Sequence, residues 1–231
     1  MKITYEITRY NGIKSYDQSY TFEADESRSI LWGLEYIKEH LDPTLTFSAV
    51  CRAAVCGACA VKVNGIPRLA CEILIKKVAE EKGPVIKIKP LDNFTVLRDL
   101  VTDWEDSMRH MKAAQTWISP ADSCSAEESC VQSPKNFQEI QQKINCILCG
   151  SCVSACPMVR TKGERFLEPF LFTKLARYAA DEREKTPAAH VSMAEEKGLA
   201  FCIQCKACTR VCPKGVDPAG DILELRESNK K

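Results

Sequence analysis

The chain has 231 residues, enough for two modest domains, with 32 basic and 31 acidic side chains. That near balance removes any electrostatic case for nucleic acid, and no apolar run approaches the length of a membrane span. Fourteen cysteines with no charged-then-apolar leader at Met1 to Arg9 point to folding in a reducing cytoplasm, where thiols stay available to metals.

In chain order, Ile3, Tyr5 and Ile7 alternate as one face of a strand over residues 2–9, and a second strand is predicted through Tyr20–Phe22. Residues 29–40 read as a helix turning Ile30, Leu31, Leu34 and Ile37 inward. The run Cys51-x4-Cys56-x2-Cys59 follows. Two strands flanking Asn64-Gly65 form a hairpin signal that returns Cys71 toward that loop, and a further strand is expected over 85–89. From Thr95 the stripe Val96, Leu97, Leu100, Val101, Trp104, Met108 and Met111 predicts a long helix that opens a second domain. Residues 119–135 read as loop, and Phe137, Ile140 and Ile144 as a short helix. Another helix is expected over 171–180. Ser192 to Glu195 reads as a capping box, and Asp217-Pro218 as an N-cap with proline in the first helical position.

Two runs dominate the second half: Cys146-x2-Cys149-x2-Cys152-x3-Cys156-Pro157 and Cys202-x2-Cys205-x2-Cys208-x3-Cys212-Pro213. Thiolates are the ligands that hold iron-sulfur clusters. The first spacing is the plant-type 2Fe-2S pattern and the paired runs are the bacterial two-cluster pattern, in which the fourth cysteine of a run serves the other cluster. Zinc favours separated C-x2-C knuckles, and a disulfide framework needs an oxidising compartment, so both fit less well. The expected fold is α+β, with a β-grasp 2Fe-2S ferredoxin domain over 1–94 and an α-helical ferredoxin domain with two cubane-type clusters over 95–231. Cys124 and Cys130 lie at an uninformative spacing and read as plain thiols; His40, His110 and His190 read as surface or structural residues. Lys174, Arg177, Arg183 and Lys185 read as a solvated helix face.

The arrangement resembles the iron-sulfur subunit of the succinate dehydrogenase and fumarate reductase family. The likeness is carried by Cys51-Arg52-Ala53-Ala54-Val55-Cys56-Gly57-Ala58-Cys59, Asn64-Gly65, Pro90-Leu91-Asp92-Asn93-Phe94, Arg98-Asp99-Leu100, Cys146-Ile147-Leu148-Cys149-Gly150 and Cys212-Pro213-Lys214-Gly215-Val216-Asp217-Pro218. The resemblance implies an electron-transfer subunit between an FAD flavoprotein that interconverts succinate and fumarate and a membrane anchor that handles quinone. Such a subunit is peripheral on the inner face of the membrane, through its partners. It further implies that Cys51, Cys56, Cys59 and Cys71 hold 2Fe-2S, that Cys146, Cys149, Cys152 and Cys212 hold 4Fe-4S, and that Cys156, Cys202 and Cys208 hold the last cluster.

Two departures matter. Most members carry a non-cysteine residue where this chain has Cys205, and their last cluster is 3Fe-4S; a fourth thiolate implies a second 4Fe-4S cluster, the alternative being 3Fe-4S with Cys205 unligated. Ubiquinone-reducing members tend to carry a tryptophan pair after the first Cys-Pro and a histidine after the first cysteine of the second run, where this chain has Met158-Val159-Arg160 and Ile203. Both departures match members whose partner is a cysteine-rich subunit like that of heterodisulfide reductase, or which serve a low-potential menaquinone or thiol couple. A free ferredoxin-like carrier, or the electron subunit of another flavin dehydrogenase, are the competing functions. The small residues Ala53, Ala54, Gly57 and Ala58 suggest a cluster loop lying close to a flavoprotein.

Overall fold

The computed structural model describes residues 1–120 and 130–228. The chain divides into two compact units, one made of residues 1–104 with 147–155 and the other of 105–146 with 156–231.

In the first unit, β1 (Lys2–Tyr10) and β2 (Ser15–Glu23) pair antiparallel, and β1 pairs parallel with β5 (Val85–Lys89). The hairpin of β3 (Ala60–Val63) and β4 (Ile66–Leu69) completes a sheet of order β2-β1-β5-β3-β4. The alternation of β1 buries Ile3, Tyr5 and Ile7 completely, as the pattern predicts. Helix α1 (Ile30–Tyr36) starts at Ser29, whose hydroxyl accepts the Trp32 N–H at 3.2 Å, and buries Ile30, Leu31 and Leu34. Its α-helical part ends earlier than the sequence suggests and continues as a π turn, Ile37–Leu41. Helix α2 (Ile75–Lys82), which has only Ile75 and Val78 to bury, was not visible in the periodicity.

The predicted helix from Thr95 does not form there. Residues Val96–Arg98 (β6) and Val101–Thr102 (β7) pair instead as a small irregular ladder, and helix α3 spans only Glu105–Ala113. The reason lies at Asp99, which takes a left-handed φ of 47° and is buried. Its carboxylate accepts the Tyr10 N–H at 3.1 Å and the Thr46 N–H at 2.8 Å. Two amides from distant segments outweigh one more turn of helix, and β-branched Val96, Val101 and Thr102 suit the extended form. Leu100 is a core residue of this sheet, whereas Met108 is exposed, so the stripe is not one helix face.

The second unit is built on α7 (Pro169–Ala180), which buries Phe170, Leu171, Phe172 and Leu175. Around it lie α4 (Pro134–Ile144), α8 (Pro187–Glu196) and α10 (Pro218–Ser228). Helix α4 begins at Ser133, whose hydroxyl accepts the Asn136 N–H, with Pro134 in the first helical position, so the predicted loop ends there. The predicted capping box Ser192–Glu195 is instead inside α8, which starts at Pro187 after Thr186. Asp217 caps α10 as predicted, accepting the Gly220 N–H at 3.0 Å. No described helix is long and apolar enough to cross a membrane.

Asp221 is buried on α10, accepting the Thr173 hydroxyl at 2.7 Å and lying 3.6 Å from Lys143 Nζ. Burial pushes its pKa up to about 6, against the pull of Thr173 and Lys143 and with help from Glu224 and Asp217. A carboxyl whose folded pKa is raised favours folding below its unfolded value, and that contribution is lost as the pH rises through the folded value. Asp221→Asn is therefore expected to gain stability relative to the parent between pH 5 and pH 7, by about 1 kcal/mol. Thermal unfolding at the two pH values checks this; a difference between the proteins that is the same at both would contradict it.

Candidate iron-sulfur centres

The first thiol set sits on a loop whose backbone turns left-handed at Arg52, Ala54 and Gly57, with φ of 56°, 56° and 76°. Alternating handedness points successive N–H groups into one concavity, an anion nest. Here the anion positions are sulfur. Cys51 Sγ accepts from the Ala53, Val55 and Cys56 amides at 3.4, 3.4 and 3.3 Å, and Cys71 Sγ accepts from Ala54 N–H at 3.3 Å. Those amides, Ala53 first, bring the Cys51 thiol down to about 6, whereas burial pushes Cys59 up to about 12. The hairpin turn Asn64-Gly65, with φ of 49° and 84°, returns the chain so that Ala70 N–H bonds Cys59 O at 3.1 Å and Cys71 comes back to the loop. Left-handed alanine is strained, and amides converging on thiolate sulfur are what hold it. This donor set fits a 2Fe-2S cluster.

The two cysteine runs share one backbone form. Leu148 and Gly150 in the first have φ of 55° and 77°; Gln204 and Lys206, at the matching places in the second, have 55° and 58°. Each loop leads into a short helix, α5 (Ser151–Ser154) or α9 (Ala207–Arg210), before the last cysteine of the run and its proline; Pro157 then opens α6 (Pro157–Lys162). In the second unit, Cys156 is within electrostatic range of Cys202 and Cys205, and Cys208 of Cys156 and Cys202. Burial raises the Cys156 thiol and pushes Cys208 up to about 12. Arg226 Nη2 donates to Leu199 O and Cys202 O, both at 2.7 Å, and Arg210 Nη1 to Cys205 O at 2.8 Å, so guanidinium groups pin this loop from its own unit. Thiols within electrostatic reach of one another suit a cubane-type cluster better than a harder metal.

Of the remaining set, Cys149 and Cys152 belong to the first unit and Cys146 and Cys212 to the second. The motif Leu91 to Phe94 fixes the Cys149 segment. Asp92 N–H bonds Ser154 Oγ at 2.9 Å, Asn93 Nδ2 bonds Val153 O at 2.7 Å, and Phe94 stacks near Trp104 with ring centroids 5.0 Å apart. A cavity of about 220 Å³ is lined by Cys56, Ala58, Leu148, Cys149 and Trp104. Ala58 lines this cavity together with Cys149, and Ala53 and Ala58 are both exposed small residues of the loop.

The histidines keep other company: His40 stacks on Tyr36, His110 lies 3.1 Å from Glu168, and His190 lies 3.4 Å from Glu184. Lys174 departs from the solvated face expected of it. Burial depresses its pKa, Arg177 adds to that, and the Cys146 thiol opposes it. Arg183 pairs with Asp181 at 2.7 Å. Cys130 is disulfide-bonded rather than a plain thiol; Cys124 lies outside the described residues. The signal that sequence reading passed over is Arg9, the next inward position after Ile3, Tyr5 and Ile7. It is buried and bonded to Asp42, Tyr20, Gln18 and Thr44.

A nest of amides around one thiol set and twin cubane loops define an iron-sulfur electron carrier. Residues 4–109 match a family model described as a 2Fe-2S iron-sulfur cluster binding domain, and residues 142–216 one described as a 4Fe-4S dicluster domain. The 8-methylmenaquinol:fumarate reductase iron-sulfur subunit of Wolinella succinogenes is 41% identical over 224 residues, 95% of this chain and 70% of that protein. The fumarate reductase iron-sulfur subunit of Mycobacterium tuberculosis is 35% identical, over 97% of this chain and 92% of that one. Among solved structures, a chain of the Mycobacterium smegmatis Sdh1 complex in the apo form superposes with a TM-score of 0.86 at 26% identity, covering 100% of this chain and 97% of that one. The chain belongs to the family of fumarate reductase and succinate dehydrogenase iron-sulfur subunits.

Proposed function

We propose that this chain relays electrons between an FAD flavoprotein and a membrane-side partner in a fumarate reductase or succinate dehydrogenase complex. The observation that carries the reading is the succession of three thiol sets on one chain that matches its relatives across nearly its whole length. Bound clusters supply one-electron redox chemistry; the protein supplies thiolates, spacing and burial. Cys51, Cys56, Cys59 and Cys71 are assigned to 2Fe-2S, and Cys146, Cys149, Cys152 and Cys212 to 4Fe-4S. Cys156, Cys202, Cys205 and Cys208 are assigned to a second 4Fe-4S. Domain limits of 1–94 and 95–231 are the proposed functional division, while residues 95–104 and 147–155 pack with the first compact unit.

The W. succinogenes relative is named for 8-methylmenaquinol and fumarate. That likeness, with Ile203 and Met158-Val159-Arg160 in place of the ubiquinone-type residues, favours a low-potential quinol donor and fumarate as the end acceptor. A cysteine-rich partner subunit like that of heterodisulfide reductase is the form of membrane-side partner that Cys205 favours. The chain then lies peripherally on the cytoplasmic face of the membrane. Purification under native conditions is expected to bring down a flavin-containing subunit with fumarate reductase activity. Recovery with a flavoprotein that does not act on fumarate or succinate, or with no stable partner, would contradict the reading.

A further inference from the structure

The loop of the first thiol set and the segment carrying Cys149 meet inside one unit, and Gly57 is where they meet. Gly57 is buried with a left-handed φ of 76°. A Cβ added there would lie 2.9 Å from both Cα and Cβ of Cys149 and 3.0 Å from Ile147 O. These are backbone atoms and the root of a side chain, so they cannot swing aside as the tip of a lysine could. The nearest atoms facing Gly57 are thus Cys149 itself and the Ile147 carbonyl. The far side of the segment is equally confined. A Cβ on Gly150 would meet Phe94 and Trp104 at 3.0 Å, and the Asn93 amide holds Val153 O at 2.7 Å.

We propose that Gly57 is the spacing residue that sets how closely the first centre approaches the second, and hence how readily an electron passes between them. The inference rests on the assignment of Cys56 and Cys149 as ligands of two different centres. The step it governs moves one electron from the reduced first centre to the oxidised second; no bond is made and no proton moves. Tunnelling falls steeply with separation, so tenths of an ångström matter. A residue with no Cβ gives the closest backbone approach the chain can make. Gly57 acts through the two ligands rather than on iron, and it is a positioning residue.

The test uses the holo-complex carrying Gly57→Ala, read by electron paramagnetic resonance and by rapid-freeze reduction kinetics. The expected result is wild-type intensity for each centre, weaker magnetic broadening between the first and second centres, and slower reduction of the second from the first. Since the new side chain also strains a left-handed position, the first centre could be lost outright. Asn93→Ala, which releases the Cys149 segment without touching either thiol set, then decides: weakened broadening supports the proposal. Unchanged broadening and unchanged transfer in every variant that keeps its centres would overturn it. Absence of both centres from the wild-type complex would instead overturn the ligand assignment.

Discussion

Asp99→Ala is expected to destabilise the first unit by about 3–5 kcal/mol, the cost of breaking one side of a buried ion pair. Arg9 is 1% exposed, and its guanidinium is enclosed by Asp99 and Asp42. Its Nε lies 2.8 Å from Asp99 Oδ1, in ion-pair range though without hydrogen-bond alignment. Nη1 bonds Asp42 at 2.8 Å, while Tyr20 donates to the same carboxylate at 2.6 Å. Removing Asp99 leaves Arg9 under-compensated and also orphans the amides of Tyr10 and Thr46. A loss of this size is comparable to the whole stability of many domains. Thr46 leads directly into the segment before Cys51, so the 2Fe-2S signal should disappear first on heating. A midpoint within error of the parent would show that the network contributes little. Asp99→Asn, which keeps one acceptor oxygen and loses the charge, separates the two causes and should fall between.

Cys205→Ser is expected to convert the terminal centre from 4Fe-4S to 3Fe-4S, with Cys156, Cys202 and Cys208 still holding three irons. Cys205 is exposed, flanked by left-handed Gln204 and Lys206, and its carbonyl is tied by Arg210. The loop is thus held independently of the thiol, and the substitution should spare its shape. A cluster with fewer thiolates generally has a higher potential, so onward transfer from this centre toward the flavin and fumarate should slow. The 2Fe-2S and first 4Fe-4S signals should not change. Simultaneous loss of all three would mean that Cys205 maintains the fold rather than one iron.

Short-range chemistry was the most legible part of this chain. Asn64-Gly65 forms the hairpin its φ values demand, β1 keeps its alternation, and both cysteine runs form the repeated loop their spacing suggests. What stayed hidden depended on distant partners. Val96, Leu100, Trp104 and Met111 keep helical spacing, yet Asp99 is drawn to Tyr10 and Thr46, and no local rule could show that. Arg9 continues the inward alternation of β1, but nothing near it in the chain shows that Asp42 and Asp99 enclose it. Likewise, the sequence placed both cysteine runs in the helical half. Asp92, Asn93 and Phe94 instead hold residues 147–155 on the first unit, giving that motif a role beyond its value as a family mark.

Iron content with paramagnetic resonance, measured on the wild-type complex kept strictly anaerobic, tests the central assignment most directly. Two, four and four irons predict about ten per chain, with 2Fe-2S and 4Fe-4S signals and none from an oxidised 3Fe-4S centre. Anaerobic handling is essential because a fourth iron at an exposed cysteine can be lost to oxidation. About nine irons with a stoichiometric 3Fe-4S signal would remove Cys205 from the ligand set, and about four would contradict the three-centre assignment altogether.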